Sequence, residues 1–203
     1  MEIITQHLSK RFTSSKWILR DINLHFISGN RYGISGPNGS GKSTLLSLLA
    51  GLSMPSKGEV YHKKEGHNIS PIHWQKHLSI AAPYSDLFDY LSLNEIVEFN
   101  CSVKKLRSSI THNEFLRITK FHEQQDQLIK NFSSGMKQRL KLGLAILTES
   151  NIIFLDEPRT NLDATAQDWY IHCLDEYTKD AMVIIASNDM DDFGQMDQMI
   201  ELE

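Results

Sequence analysis

The stretch Gly36-Pro37-Asn38-Gly39-Ser40-Gly41-Lys42-Ser43 decides how this chain folds. It spells G-x-x-x-x-G-K-[ST], the pattern of a loop that wraps phosphates. Arg31 to Ser35 leads into it as a strand, and Leu45, Leu46, Leu48 and Leu49 follow it at helical spacing. Gly51 then stands where a helix cap would. The glycines let the backbone turn its N–H groups inward, and the helix behind presents its positive end. Lys42 reaches terminal phosphates and the Ser43 hydroxyl ligates Mg²⁺, while Pro37, Asn38, Ser40 and Thr44 complete the cofactor-binding set. A chance match in a chain this long has a probability of roughly 1%. A strand before it and a helix behind it make chance a weaker explanation still.

Working outward, the first 35 residues read as strands and turns, with Ile22, Leu24 and Phe26 alternating at period two. Short strands are expected over 58–62 and 78–82. From Ser92 to Lys130 the pattern turns helical and more polar, and Ser92 with Glu95 forms a capping box. Beyond Ser133 the chain alternates again: a helix near 134–148, a strand at 151–155, a helix near 163–178, and strands at 181–186 and 198–202. Short continuous apolar strands separated by helices imply a mostly parallel sheet covered on both faces. The expected fold is α/β: a P-loop NTPase core with N-terminal antiparallel strands and a small helical insert. The core would run over 1–82 and 150–203, with the helical subdomain over 83–149.

Composition narrows the function classes. The chain has 203 residues, 40% hydrophobic and 23% charged, with 21 Lys+Arg against 25 Asp+Glu and a formal net charge of −4. That is an ordinary globular balance, and its mild acidity argues against a dedicated nucleic-acid binder. No apolar run approaches the roughly 20 residues that span a bilayer. Cys101 and Cys173 have no metal-binding spacing, and no signal-peptide pattern precedes them, which fits a reducing compartment.

Ile152-Ile153-Phe154-Leu155-Asp156-Glu157 puts two carboxylates at the C-terminal end of a buried strand, the edge where open α/β sheets bind ligands. Asp156 would hold Mg²⁺ and Glu157 would act on the attacking water.

With these motifs in order, the chain resembles the ATP-binding subunit of an ABC transporter over nearly its whole length. Phe132-Ser133-Ser134-Gly135-Met136-Lys137-Gln138-Arg139 is similar to the family signature LSGGQ-x-Q-R, and Thr160-Asn161-Leu162-Asp163 to its D-loop. The resemblance implies that Ser133, Ser134 and Gly135 face the γ-phosphate of ATP held by an opposite subunit. It implies that Phe12 stacks on adenine, with Trp17 as the weaker candidate. It also implies ATP and Mg²⁺ as cofactors, and a homodimer or a heterodimer with another ABC ATPase subunit. Transmembrane permease subunits would be the further partners, and the place peripheral on the cytoplasmic face of the membrane. The ending at Glu203 leads us to expect no regulatory C-terminal domain.

Two family residues are replaced. Pro83 stands at the Q-loop glutamine, and Asn188 at the H-loop histidine, where it enters the catalytic set with Glu157. Proline has no side-chain donor, and asparagine carries no proton or positive charge. ATP binding with slow hydrolysis is therefore expected. The alternative is a non-transport ABC ATPase with a regulatory or assembly role. His62, His67, His73 and His77 are expected as polar surface histidines rather than metal ligands. Lys104, Lys105 and Arg107 are expected on a solvated face, and Ile96, Val97 and Phe99 in the core of the helical part.

Overall fold

The computed structural model describes residues 1–13, 16–107 and 110–203. Its elements in chain order are β1 (Glu2–Arg11), β2 (Trp17–Ile22), β3 (His25–Ile27), β4 (Arg31–Ser35), α1 (Lys42–Leu49), β5 (Lys57–Lys64), β6 (His67–Asn68) and α2 (Pro71–Trp74). They continue with β7 (Leu78–Ala81), α3 (Leu93–Val103), α4 (His112–Ile118), α5 (Ser134–Leu147), β8 (Ile152–Asp156), α6 (Ala164–Tyr177), β9 (Met182–Ser187) and β10 (Gln198–Glu201). These form two compact units. One comprises Met1–Leu78, Ser150–Glu157 and Asp180–Glu203; the other comprises Ser79–Glu149 and Pro158–Lys179.

The first unit holds both kinds of sheet. β10, β4, β9 and β8 lie side by side in that order, all parallel. Every residue of β8 and β9 is buried, as near-continuous apolar runs in a doubly covered sheet must be. The antiparallel sheet runs β2-β1-β5-β6, with β3 also on β1. Its long strand β1 changes register near His7, which has a φ of 50°. The α/β class and the N-terminal antiparallel strands are those expected from the sequence.

Register in the parallel sheet sets the functional edge. Ser35 pairs with Ser187, and Asp156 with Ala186. The loop after β4, the carboxylates after β8 and the turn after β9 therefore leave from one sheet edge.

His62 departs from the surface role expected of it. It points inward from β5, stacks on the Trp74 ring at 4.0 Å and donates from Nε2 to the Leu49 carbonyl at 2.8 Å. One ring nitrogen satisfied by the end of α1 is enough to make an imidazole a core residue. His67 and His73 are exposed as expected, and the described residues contain no group of three or more His, Cys, Asp or Glu placed to hold a metal.

The second unit is built on helices. Capping boxes start α3 at Ser92 and α4 at Thr111. Its core includes Phe115, Leu116, Phe121, Ile129, Leu140 and Trp169, whose indole donates to the Ile118 carbonyl at 2.7 Å. A Cβ on Gly143 would sit 2.6 Å from the Thr119 methyl, so α5 approaches the end of α4 as closely as glycine permits. Ile96 and Val97 are buried as expected, but Phe99 is 52% exposed. It lies two residues past Val97, about 200° round the helix.

Burial holds the His62 imidazole below the usual histidine range, with its bond to Leu49 opposing that shift less strongly. A histidine that protonates more readily unfolded than folded contributes stability above its unfolded pKa, and that contribution is lost as pH falls below about 6.5. Urea midpoints should therefore drop between pH 7 and pH 5, and His62→Phe should flatten that slope. An unchanged slope in the variant would remove His62 from the account.

Candidate functional site

The loop after β4 needs unusual backbone angles. Gly36 has a φ of 150°, and a Cβ there would lie 2.3 Å from the Leu202 carbonyl oxygen. Gly41, at 101°, forms the left-handed N-cap of α1. A side chain at either place would strain the turn. Lys42 is only 5% exposed, and its ammonium donates to the carbonyls of Gly36 at 2.8 Å and Pro37 at 3.1 Å. Ser40 Oγ is buried without a hydrogen-bond partner among the described residues. A buried hydroxyl of that kind calls for a polar guest.

The carboxylate pair meets this loop. Ser43 Oγ donates to Asp156 Oδ1 at 3.0 Å, and Lys42 Nζ lies 3.9 Å from Glu157 Oε1. Asp156 is 1% exposed, and burial pushes its carboxyl above the ordinary aspartate range, against the Ser43 hydrogen bond. A hydroxyl and a carboxylate at this spacing form an oxygen donor set suited to a hard divalent cation. Glu157 has a φ of 47°, a left-handed conformation rare outside glycine and asparagine, and its N–H donates to the Ala186 carbonyl at 2.8 Å. Strain of this kind concentrates at functional positions.

The turn after β9 closes the group. Asn188 is exposed and donates from its amide to Asn38 Oδ1 at 3.2 Å, tying it to the phosphate loop. Ser187 Oγ lies 3.0 Å from Glu157 Oε2 and also contacts Asp192 Oδ2. The sequence reading missed both Ser187 and Asp192. Asp192 sits in the run Asp189-Met190-Asp191-Asp192, which reads as a solvated turn, and only the fold buries it to 2% exposure.

At the start of β2, Trp17 has the Arg11 guanidinium 4.9 Å and the Lys57 ammonium 5.5 Å from its ring. Phe12 is 70% exposed, with the Lys10 ammonium 5.1 Å away. Phe12 thus offers the more open ring of the two.

In the second unit, Ser133 caps α5, accepting from the Met136 N–H at 3.2 Å. A cavity of about 290 Å³ opens there, lined by Ser133, Ser134, Gly135, Arg139, Asn161 and Asp163 among others. A Cβ on Gly135 would meet the Asn161 carbonyl at 2.6 Å, so the segments that read as signature and D-loop touch backbone to side-chain position. Arg139 Nε is buried without a partner among the described residues, and burial holds its guanidinium below the usual range. Pro83 is exposed. The Lys141 ammonium, another group the sequence reading missed, lies 3.4 Å from the Ala82 and Pro83 carbonyls.

Comparison with known proteins fits this geometry. The chain is 34% identical, over 81% of its length and 70% of the relative's, to a probable sulfate/thiosulfate import ATP-binding protein of Chlorella vulgaris. It is 32% identical over 92% of its length to the phospholipid-transporting ATPase ABCA3 of Mus musculus, of which it spans 11%. It is 30% identical over 83% of its length to a glucose import ATP-binding protein of Saccharolobus solfataricus, spanning half of that protein. An ATP-binding cassette solved as a dimer in a post-hydrolysis state with ADP and Pi superposes with a TM-score of 0.84 at 21% identity, covering 99% of this chain and 94% of that one. No helix among the described residues is long and apolar enough to cross a membrane. The family profile described as ABC transporter matches residues 19–160. This chain therefore belongs to the ABC transporter family, as an ATPase cassette with the P-loop NTPase fold.

Proposed function

We propose that the chain binds MgATP at the Lys42 loop and hydrolyses it slowly to power a transporter whose transmembrane parts lie in other subunits. One observation carries this reading: Lys42 and Ser43 stand 3.9 Å and 3.0 Å from Glu157 and Asp156, which come from a strand more than a hundred residues later. Phosphoryl transfer needs mainly positioning and charge stabilisation, and this group supplies both.

Each residue has a role in that reading. The loop 36–44 cradles the phosphates, and Lys42 exchanges its carbonyl partners for phosphate oxygens. Ser43 and Asp156 hold Mg²⁺, whose charge offsets that of the phosphates. Glu157 orients the attacking water and takes its proton. Phe12 offers a face to adenine. Ser133, Ser134 and Gly135 serve the γ-phosphate of an ATP bound to a second cassette, identical or related, through the positive end of α5.

Hydrolysis is slow for a chemical reason. Asn188 gives a neutral hydrogen bond where an imidazolium would give one roughly twice as strong. Pro83 offers no side-chain contact to water or metal. The second unit carries a cluster of exposed apolar side chains: Phe88 lies 6.0 Å from Tyr90 and 5.7 Å from Phe99, and Val103 is 69% exposed. Such a patch suits a protein partner, here a cytoplasmic loop of a transmembrane subunit.

Three outcomes test this reading. Lys42→Ala should weaken MgATP binding about ten- to a hundredfold, the loss of ~1.5–3 kcal/mol of charge-assisted hydrogen bonding. Equal affinity in an equilibrium titration would dismiss the loop as the binding site. Glu157→Gln keeps the shape but loses the base, so light scattering in MgATP should show a dimer that a bulky residue at Ser133 dissolves. A monomer at high concentration would reject self-pairing and require a different cassette as the partner. Asn188→His should raise the single-turnover rate with little change in ATP affinity. Rapid wild-type hydrolysis, unchanged in Asn188→Ala, would deny Asn188 any part.

A further inference from the structure

One corner of the antiparallel sheet gathers cations. From Ile3 to Arg20 the sequence holds Lys10, Arg11, Lys16 and Arg20 and not one Asp or Glu, in a chain whose net charge is −4. Register sets Arg11 opposite Trp17 and Lys57 of β5 opposite Ser9. The carboxylates of β1, β2 and β5 are engaged elsewhere. Glu2 pairs with His25 at 2.9 Å, Asp21 with His7 at 2.7 Å, and Glu59 with the Tyr61 hydroxyl. Arg20 acts on its neighbour Asp21, which leaves Lys10, Arg11, Lys16 and Lys57 as the cluster.

Three of these four are held in place. The Arg11 guanidinium and the Lys57 ammonium lie 4.9 Å and 5.5 Å from the Trp17 ring. The Lys10 ammonium donates to the Met54 carbonyl at 2.6 Å and lies 5.1 Å from the Phe12 ring. Like charges repel, and here aromatic rings keep them together with much of their side-chain freedom already given up. The cluster also adjoins the phosphate loop: Cγ2 of Ile18, next to Trp17, lies 2.9 Å from where a Cβ of Gly41 would be. The segments after β8 and β9 bring the opposite charge to that loop. They carry Asp156, Glu157, Asp189, Asp191 and Asp192, and they bond to Ser43 and Asn38. MgATP is a net anion, so its approach is opposed by those carboxylates and favoured over β1 and β2.

We propose that Lys10, Arg11, Lys16 and Lys57 form a basic rim that steers MgATP into the Lys42 loop, setting how fast the nucleotide arrives rather than how fast it is cleaved. The inference rests on the Lys42 loop being the MgATP site. The rim reads phosphate charge and not the base, so any nucleoside triphosphate is drawn by it. Its reach is a Debye length, about 8 Å at physiological salt, so it acts over the last stage of approach. Phe12 and Met54 are 70% and 83% exposed beside these cations, which makes an anionic lipid surface the rival occupant. Contact with the phosphate loop favours the nucleotide.

Stopped-flow binding of N-methylanthraniloyl-ATP with Mg²⁺ to the full chain tests this. At low salt, Arg11→Gln with Lys57→Gln should lower kon about three- to tenfold, within the span of electrostatic steering. The dissociation rate should stay within about twofold, and the single-turnover rate at saturating MgATP should not change. The wild-type kon should fall about tenfold between roughly 0.025 and 0.5 M KCl, and the double variant should lose most of that slope. Arg11→Lys with Lys57→Arg keeps both charges and should keep kon. Lys16→Glu, at an exposed position outside any strand, should lower kon without disturbing either ring. Unchanged kon and salt slope in the neutralised variants, or a loss confined to dissociation, would overturn the proposal. So would unchanged kon together with lost binding to phosphatidylserine vesicles, which would give the cluster to a membrane surface. Lys42→Ala separates the two readings. If it weakens binding while the rim variants keep wild-type kon, only the rim fails; if it binds as the wild type does, the site and the rim fail together.

Discussion

Parallel pairing of β4 with β9, and of β9 with β8, sets Ser35 opposite Ser187 and Asp156 opposite Ala186. Each of those strands ends where its apolar run ends. The phosphate loop, the two carboxylates and the Ser187-Asn188 turn emerge within hydrogen-bond reach because of that shared ending. A slip of one residue would exchange the faces of every side chain and carry Asp156 away from Ser43. On the other side of β4, Gly33 leaves room for its neighbours: a Cβ there would lie 2.3 Å from the Met199 sulfur and 2.9 Å from the Phe193 ring.

The architecture was largely readable because its physics is local. Strands buried on both faces must be apolar throughout, so 152–155 and 181–186 announce themselves. Glycines at 36, 39 and 41 mark a turn that only they can make, with φ values of 150°, 85° and 101°. The capping box at Ser92 is a local hydrogen-bond pattern and appears as written. The antiparallel sheet was less legible. β1 pairs with β5 across some fifty residues, and a register change near His7 hides its alternation.

Within the site, the charged motifs could be found and the polar groups packed beside them could not. Lys42, Ser43, Asp156 and Glu157 belong to short patterns with a stated chemistry. Ser187 and Asp192 have no pattern; one is a hydroxyl at a strand end and the other an aspartate among aspartates. Their meaning comes from burial and from distance to Glu157, which are properties of the folded chain. His62 and Phe99 fail in opposite senses for the same reason. A carbonyl at the end of α1 lets an imidazole go inside, and a helical angle leaves a benzyl group outside.

The backbone of Glu157 sets two demands against each other. A φ of 47° is comfortable for glycine and costs a residue with a Cβ about 1–2 kcal/mol. Glutamate and glycine codons differ by a single base, so the change that would relieve this strain is always one step away. That change would relax the backbone and at the same stroke remove the carboxylate that lies 3.9 Å from the Lys42 ammonium. Conformational ease and local charge balance therefore pull this one position in opposite directions, and the chain as written keeps the charge.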